Sequence, residues 1–309
     1  MGDIVHTMPT AVAIKRSHPE WKLDWVVQKN FAGLLRAHPA VDQLIEIPRR
    51  PSRSDLAALK TRIRGIYDVA LDMQGLYKSG RIAALSRAPL RLGYHWQREL
   101  SWLFTKAVKP TQGGLHVVDQ YLAVAERLGA QHAPPDFQLR PSPPALKSAE
   151  KMFSDLRLEG RPVAINLGAG KPEKCWPLPR FAELVELLRR GGWAPFLIGG
   201  PADEVRGAEL ESLAGAGVPN LIGETSIEEL VAVLSLVDAH VGGDTGSIHI
   251  AVALGRPVVA IMGPTDPDRS GPYGRRESVL YEGQRGLAGI TAESVADRLE
   301  RAANAGIQG

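Results

Sequence analysis

Val241–His249 reads VGGDTGSIH, and an apolar run, Leu230–Val237, precedes it. Ala239-His240-Val241 has the character of a short strand, and the residues after Gly246 have that of a helix. Asp244 or Thr245 is placed to cap that helix through a side-chain oxygen. Gly242, Gly243 and Gly246 let the backbone turn tightly and approach a ligand. A strand, a glycine-rich turn and a helix start together leave the N–H groups of Gly246 and Ser247, with the positive end of the helix dipole, able to hold an anion such as a diphosphate. The plainer alternative is an ordinary strand-to-helix turn with an Asp cap.

The next strand is Pro257–Met262, PVVAIM, which runs into Gly263-Pro264-Thr265-Asp266-Pro267 and then Gly271-Pro272-Tyr273-Gly274. Two consecutive strands thus end in polar, glycine-rich loops. In an open parallel sheet such loops share the carboxyl edge, where ligands bind. Upstream, strand and helix patterns alternate from Leu23–Val27 through Phe31–Ala37, Gln43–Ile47, Leu56–Arg64, Tyr67–Asp72 and Leu76–Leu85 to Leu90–Tyr94. The pattern loosens from Arg98, and a helix over Val117–Leu128 closes this half. The proline-rich stretch from Ala133 to Pro144 reads as a linker. Alternation then resumes with Val163–Leu167, Phe181–Leu188, Ala194–Ile198, Glu204–Leu213, Asn220–Ile222 and Ser226–Leu236, and the chain closes on an amphipathic helix over Ala292–Ala303. The expected fold is α/β: two Rossmann-like domains, residues 1–140 and 145–309, facing across a cleft. Met1–Pro9 reads as a loop entering a helix that runs to Arg16, with no strand ahead of it, so the first strand of the N-terminal domain is expected to be missing.

The chain has 309 residues, 44% of them hydrophobic, which suffices for two ordinary cores. No run approaches the ~20 apolar residues of a membrane span, and the single cysteine, Cys175, excludes an internal disulfide or a cysteine-cluster metal site. A cytosolic protein is expected. The net charge of +3 hides an asymmetry: Arg49–Lys109 carries 13 Lys or Arg against four acids. Such a region suits a polyanion, whether nucleic acid, anionic headgroups or a phosphorylated glycan, unless acids elsewhere compensate it in space. No interleaved aromatic platform supports nucleic acid.

Familiar cofactor motifs fail. Gly168-Ala169-Gly170 is followed by Lys171-Pro172-Glu173, neither a GxGxxG nor a P-loop, and no HExxH or paired-histidine spacing suggests zinc. No cofactor and no metal site is expected. The same loop does put Lys171 and Lys174 at a strand's carboxyl edge, where either can neutralise a phosphate. Glu204, after Ile198 and GGPAD, can accept from a ribose diol or simply favour a helix's first turn. Asp3 stands at a helix start; facing a cleft it can take a proton from an acceptor hydroxyl, and otherwise it is a plain cap. His6 has the same two readings. Asp72-Met73-Gln74-Gly75 forms another strand-end loop, and His249 either bonds a ligand or steadies its own loop. The two-domain arrangement is that of many nucleotide-sugar transferases and also of periplasmic-type binding proteins.

With MGDIVHTMP, LDWVVQ, DMQGLYKS, GYHWQRE, KCWP, GGDTGSIH, GPTDP and GPYG in place along nearly its whole length, the chain resembles the lipopolysaccharide heptosyltransferases of glycosyltransferase family 9, most of all the heptosyltransferase I branch. The resemblance implies a GT-B fold and inverting transfer of heptose from ADP-heptose to a Kdo sugar of the lipid A inner core. It further implies Asp3 as general base, with Lys174, Glu204, Thr225, Asp244, Thr245, Gly246 and His249 around the ADP moiety. Lys78, Arg81 and Arg98 become candidates for an anionic glycolipid acceptor, Kdo-lipid A, met at the cytoplasmic face of the inner membrane. The family pattern departs at two places. Its members have a strand ahead of MGD, and hydroxyl residues often stand where this chain has Ala169-Gly170. Competing expectations are a non-catalytic nucleotide-sugar binder and a GT-B transferase with another donor or acceptor.

Overall fold

The computed structural model describes residues 1–111, 116–169, 174–215, 217–263, 265–283 and 286–307. It divides into two compact units, Asp3–Gln138 and Leu139–Gly309. The first runs α1 (Gly2–Ser17), β1 (Asp24–Gln28), β2 (Gln43–Ile47), α2 (Arg53–Ile63), β3 (Val69–Asp72), α3 (Tyr77–Leu85), β4 (Leu90–Tyr94), β5 (Lys106–Val108) and α4 (Val117–Arg127). The second runs α5 (Pro143–Leu156), β6 (Arg161–Asn166), α6 (Leu178–Arg190), β7 (Trp193–Ile198), α7 (Glu204–Leu213), α8 (Ile227–Leu236), β8 (Ala239–Gly243), α9 (Gly246–Ala253), β9 (Val258–Met262), α10 (Pro267–Ser270), β10 (Val279–Tyr281) and α11 (Ala292–Ile307).

The second unit is a five-stranded sheet in the order β10-β9-β8-β6-β7, every pairing parallel. Every residue of β7, β8 and β9 is buried, as in a sheet covered on both faces. The order places β7 on one side of β6 and β8 on the other, which makes the carboxyl ends of β6 and β8 the topological switch point.

The first unit holds two separate parallel sheets, β1-β2 and β3-β4-β5. Among the described residues no strand joins β1 to β3. Among the described residues the outer edges of β1 and β3 have no ladder partner, and Trp25, Val27, Val69 and Leu71 from those two strands line one cavity of about 380 Å³. The Tyr67 hydroxyl donates to the Asp24 carboxylate at 2.6 Å beside the amino ends of β3 and β1. Burial and this acid push the Tyr67 pKa up to about 12.

Several sequence expectations need correction. Met1–Pro9 is no loop: α1 starts at Gly2 and carries Pro9 inside it, with Val5, Met8 and Val12 buried. Burial on this scale outweighs the hydrogen bond that proline removes. Phe31–Ala37 is a single 3-10 stretch, Lys29–Leu34, since Gly33 weakens a helix and Pro39 bars its continuation. The end of the proline-rich linker is a helix start, where Ser142 caps α5 and Pro143-Pro144 occupy its first turn. Asn220–Ile222 is reduced to one bridge, Leu197 to Asn220, because the Asn220 side chain accepts the Ile222 N–H at 2.8 Å and turns the chain away. The short strands β5 and β10 escaped the pattern reading.

Candidate functional site

At the switch point three loops meet through one lysine. Lys174, in the loop after β6, donates to Asp244 Oδ2 at 2.9 Å and to Thr265 Oγ1 at 2.6 Å. Asp244 follows β8 and Thr265 follows β9, so the ammonium ties the carboxyl ends of three strands. Both ion-pair partners are part-buried, at 25% and 17% exposure, which spares the pair much of the screening that weakens surface salt bridges. A carboxylate cannot donate to a phosphate. Asp244 therefore aims the lysine and offers its remaining lone pairs to hydroxyl groups, while Lys174 supplies positive charge.

Beside this pair lies the start of α9. Thr245 takes the N-cap position, yet contrary to the capping expected of it, its side chain does not bond the helix N–H groups. Its hydroxyl lies 2.8 Å from the Ser247 hydroxyl, which lies 3.0 Å from His240 Nε2, and His240 Nδ1 lies 2.9 Å from the Ala164 carbonyl. A carbonyl only accepts, so Nδ1 carries the proton, Nε2 accepts from Ser247, and Ser247 accepts from Thr245. Complete burial lowers the His240 pKa to about 4, in keeping with the neutral ring this chain of bonds requires. The relay orients the Thr245 and Ser247 hydroxyls toward His240, and with no side-chain cap bond from Thr245 the first N–H groups of α9 are available to an anion. His249, buried at 7% exposure, lies one turn inside the same helix.

A second cluster forms around Asp203. Its Oδ2 accepts the Gly200 N–H at 3.0 Å, and a side chain at Gly168 would collide with its carboxylate, so the loops after β6 and β7 close together. Glu204, exposed at the first position of α7, sits against Gly223: a Cβ there would lie 2.8 Å from Glu204 Oε1. Gly223 also donates to the Gly199 carbonyl at 3.1 Å, which brings the stretch holding Thr225 up to the β7 loop. The structure thus groups Lys174 with Asp244, Thr245 and Gly246, and Glu204 with the approach to Thr225. Lys171 and Gly170 lie outside the described residues.

In the first unit, Asp3 occupies the first turn of α1 and is exposed. It lines the 380 Å³ cavity together with Asp72, Gln74 and Lys78. Asp72 Oδ1 accepts from the N–H groups of Gln74 and Gly75 at 3.1 and 3.0 Å, and burial raises its pKa. Gly75 has φ of +67°, and its carbonyl accepts from Arg98 N–H at 2.8 Å and from the Ser101 hydroxyl at 3.0 Å. These bonds draw the loop bearing Arg98 to the start of α3, where Lys78 is exposed and Arg81 lies one turn on. His6 is buried at 5% exposure with its ring edge-on to His116 at 5.6 Å, away from a solvent-facing proton-transfer position.

Sequence reasoning missed Thr265 as the second partner of Lys174, the His240 relay, and Asp203. The signals were present: the threonine in GPTDP, a histidine inside a buried strand seven residues before a serine, and an aspartate closing GGPAD.

The parallel sheets, together with an anion-ready helix start at the switch point of the second unit, define a GT-B glycosyltransferase architecture. The family model described as glycosyltransferase family 9 (heptosyltransferase) matches residues 56–295, and the chain belongs to that family. It is 28% identical over 97% of its length to lipopolysaccharide heptosyltransferase 1 of Escherichia coli, covering 96% of that protein. It is 30% identical to the protein of that name from Pseudomonas aeruginosa, with 90% and 80% of the two chains covered. Among solved structures it is similar to E. coli heptosyltransferase WaaC with ADP, at a TM-score of 0.79 and 27% identity, covering 98% of this chain and 97% of that one.

Proposed function

We propose that this chain moves heptose from ADP-heptose to a Kdo residue of the lipopolysaccharide inner core, with inversion, as a heptosyltransferase I. The observation that carries the reading is Lys174, held by Asp244 and Thr265 beside the start of α9. A lysine and a row of helix N–H groups suit the two phosphates of a departing nucleoside diphosphate. The relatives' names and the ADP in the similar solved structure support ADP as that diphosphate.

In the proposed reaction Asp3 takes the proton from the acceptor hydroxyl as its oxygen bonds the anomeric carbon. The bond from that carbon to the diphosphate oxygen breaks on the opposite face, and ADP leaves with its new charge balanced by Lys174 and the α9 N–H groups. Glu204 accepts from the ribose diol, Thr225 and His249 complete the donor pocket, and Lys78, Arg81 and Arg98 hold the acid groups of the acceptor. The protein works at the cytoplasmic face of the inner membrane, where that glycolipid is presented.

Thermal unfolding with ADP, UDP and GDP in turn tests the donor side. A nucleotide at ~100 times its dissociation constant adds ~2.7 kcal/mol, seen as a raised midpoint. A shift with ADP alone, followed by turnover of ADP-heptose on Kdo-lipid A, supports the reading. An equal shift with UDP, or turnover with ADP-heptose that ignores the Kdo acceptor, sinks it.

A further inference from the structure

The stretch after β4 holds apolar side chains out in water on a scaffold that does not let them fold back. Ser101 is fully buried: its hydroxyl donates to the Gly75 carbonyl at 3.0 Å, its N–H to the Arg98 carbonyl at 3.0 Å, and its own carbonyl accepts from Phe104 N–H at 3.0 Å. Phe104 is fixed in turn. Its ring meets Tyr77 edge-on at 5.4 Å, and a Cβ at Gly80 would lie 3.0 Å from it. Immediately ahead of these two anchors the chain passes through Glu99 and Leu100 at φ of +52° and +63°, a left-handed pair without glycine. Outward from that pinned turn stand Leu100, Trp102 and Leu103, 49%, 54% and 66% exposed.

Isolated exposed leucines are ordinary, but a tryptophan and two leucines held out together mark a contact surface. The surrounding charge selects the partner. From Tyr77 to Lys109 the chain has seven Lys or Arg and one acid, Glu99. Lys78, Arg81, Arg98, Lys106 and Lys109 are all exposed. A protein partner would need an acidic surface with an apolar centre. An anionic bilayer offers both, with tryptophan favoured at the headgroup level and basic side chains at the charged surface.

We infer that the Leu100–Leu103 turn is an interfacial anchor by which this chain docks on an anionic phospholipid surface, the adjacent lysines and arginines supplying the attraction. The inference rests on the reading above in one respect: it gives the membrane contact expected of a glycolipid-modifying enzyme a specific place in the fold. Its chemistry needs no glycolipid.

The full chain is mixed with vesicles of phosphatidylcholine alone and of phosphatidylcholine with phosphatidylglycerol, without any lipopolysaccharide, and bound protein is measured by co-sedimentation at low and high salt. Affinity for the anionic vesicles is expected to exceed that for neutral ones at least ~10-fold and to fall with salt. The double substitution Trp102→Ser, Leu103→Ser is expected to weaken anionic binding at least ~10-fold while leaving the melting midpoint and the ADP-induced shift unchanged. Failure of the ADP shift in the parent chain counts against the donor reading and not against the anchor. Absence of binding to anionic vesicles overturns the anchor, as does a double variant that binds like the parent, or a parent whose exposed turn is instead covered by a second copy in a salt-stable dimer.

Discussion

His240 offers a test of the donor loop through pH. Its ring is fully buried, with a folded-state pKa of about 4 against an ordinary 6.5, and burial is the leading cause. The folded chain thus binds this proton less readily than the unfolded one. For a base lowered in this way stability is whole above pH 6.5 and is lost as pH falls through the window from 6.5 to about 4. At pH 5 most unfolded rings are protonated and few folded ones are, which costs about 2 kcal/mol; the full window is worth roughly 3 kcal/mol. His240→Gln keeps a donor for Ala164 and an acceptor for Ser247 but does not titrate. Urea unfolding of parent and variant at pH 7.5 and pH 5, compared as a difference of differences, cancels every other titrating group. The expected result is an extra loss of about 2 kcal/mol in the parent only. Nitrogen NMR of the ring is expected to show a proton on Nδ1 throughout that range. A parent and variant that lose equal stability, or a ring titrating near its ordinary value, would refute the relay. The relay also carries function: protonating Nε2 forces Ser247 to turn its hydroxyl proton elsewhere and frees Thr245, so ADP affinity should hold steady down to pH 5 and weaken only as pH falls through the folded-state value of about 4.

Other expectations follow from the same geometry. Lys174→Met removes the positive charge between Asp244 and Thr265; calorimetry should show ADP affinity falling ~10- to 100-fold, with stability changed by about 1 kcal/mol or less. An unchanged dissociation constant would place the diphosphate elsewhere. Asp3→Asn should lower turnover at least ~100-fold while ADP still raises the melting midpoint, and near-parental turnover would remove Asp3 from the base role. Hydrogen exchange should find amides on the unpaired edges of β1 and β3 at least ~100-fold less protected than those of β6 and β8, because they face a cavity and not a ladder. Comparable protection at both places would mean that those edges are sealed in solution.

The second unit was legible because local and global preferences agree there. Its strands are apolar runs, Ser226 and Glu229 form the capping box their spacing announces, and Gly243-Asp244-Thr245-Gly246 turns from strand to helix as glycines at a strand end should. The first unit was harder. Its strand edges are split between two sheets, α1 keeps a proline in its interior, and β5 is three residues long. For α1 the deciding factor is the burial of Val5, Met8 and Val12, which no window of sequence contains.

Pairings across the chain were out of reach for the same reason. Lys174 could be singled out as a phosphate ligand from its place at a strand end. Its hold on Thr265, 91 residues away, follows only from β6, β8 and β9 being neighbours in the sheet. Likewise His240 looks in sequence like a polar lapse in a buried strand, and only the register of β8 against β6 puts its ring under the Ala164 carbonyl. That register gives the histidine its purpose. With Nδ1 committed to the neighbouring strand, Nε2 is left as an acceptor, and the two hydroxyls of the DTGS turn orient toward it and away from the helix start. An uncapped helix N-terminus is costly unless something binds there. In this fold Thr245 makes no cap bond and Lys174 stands at the same edge, and it is on that pairing that the proposal of a diphosphate ligand rests.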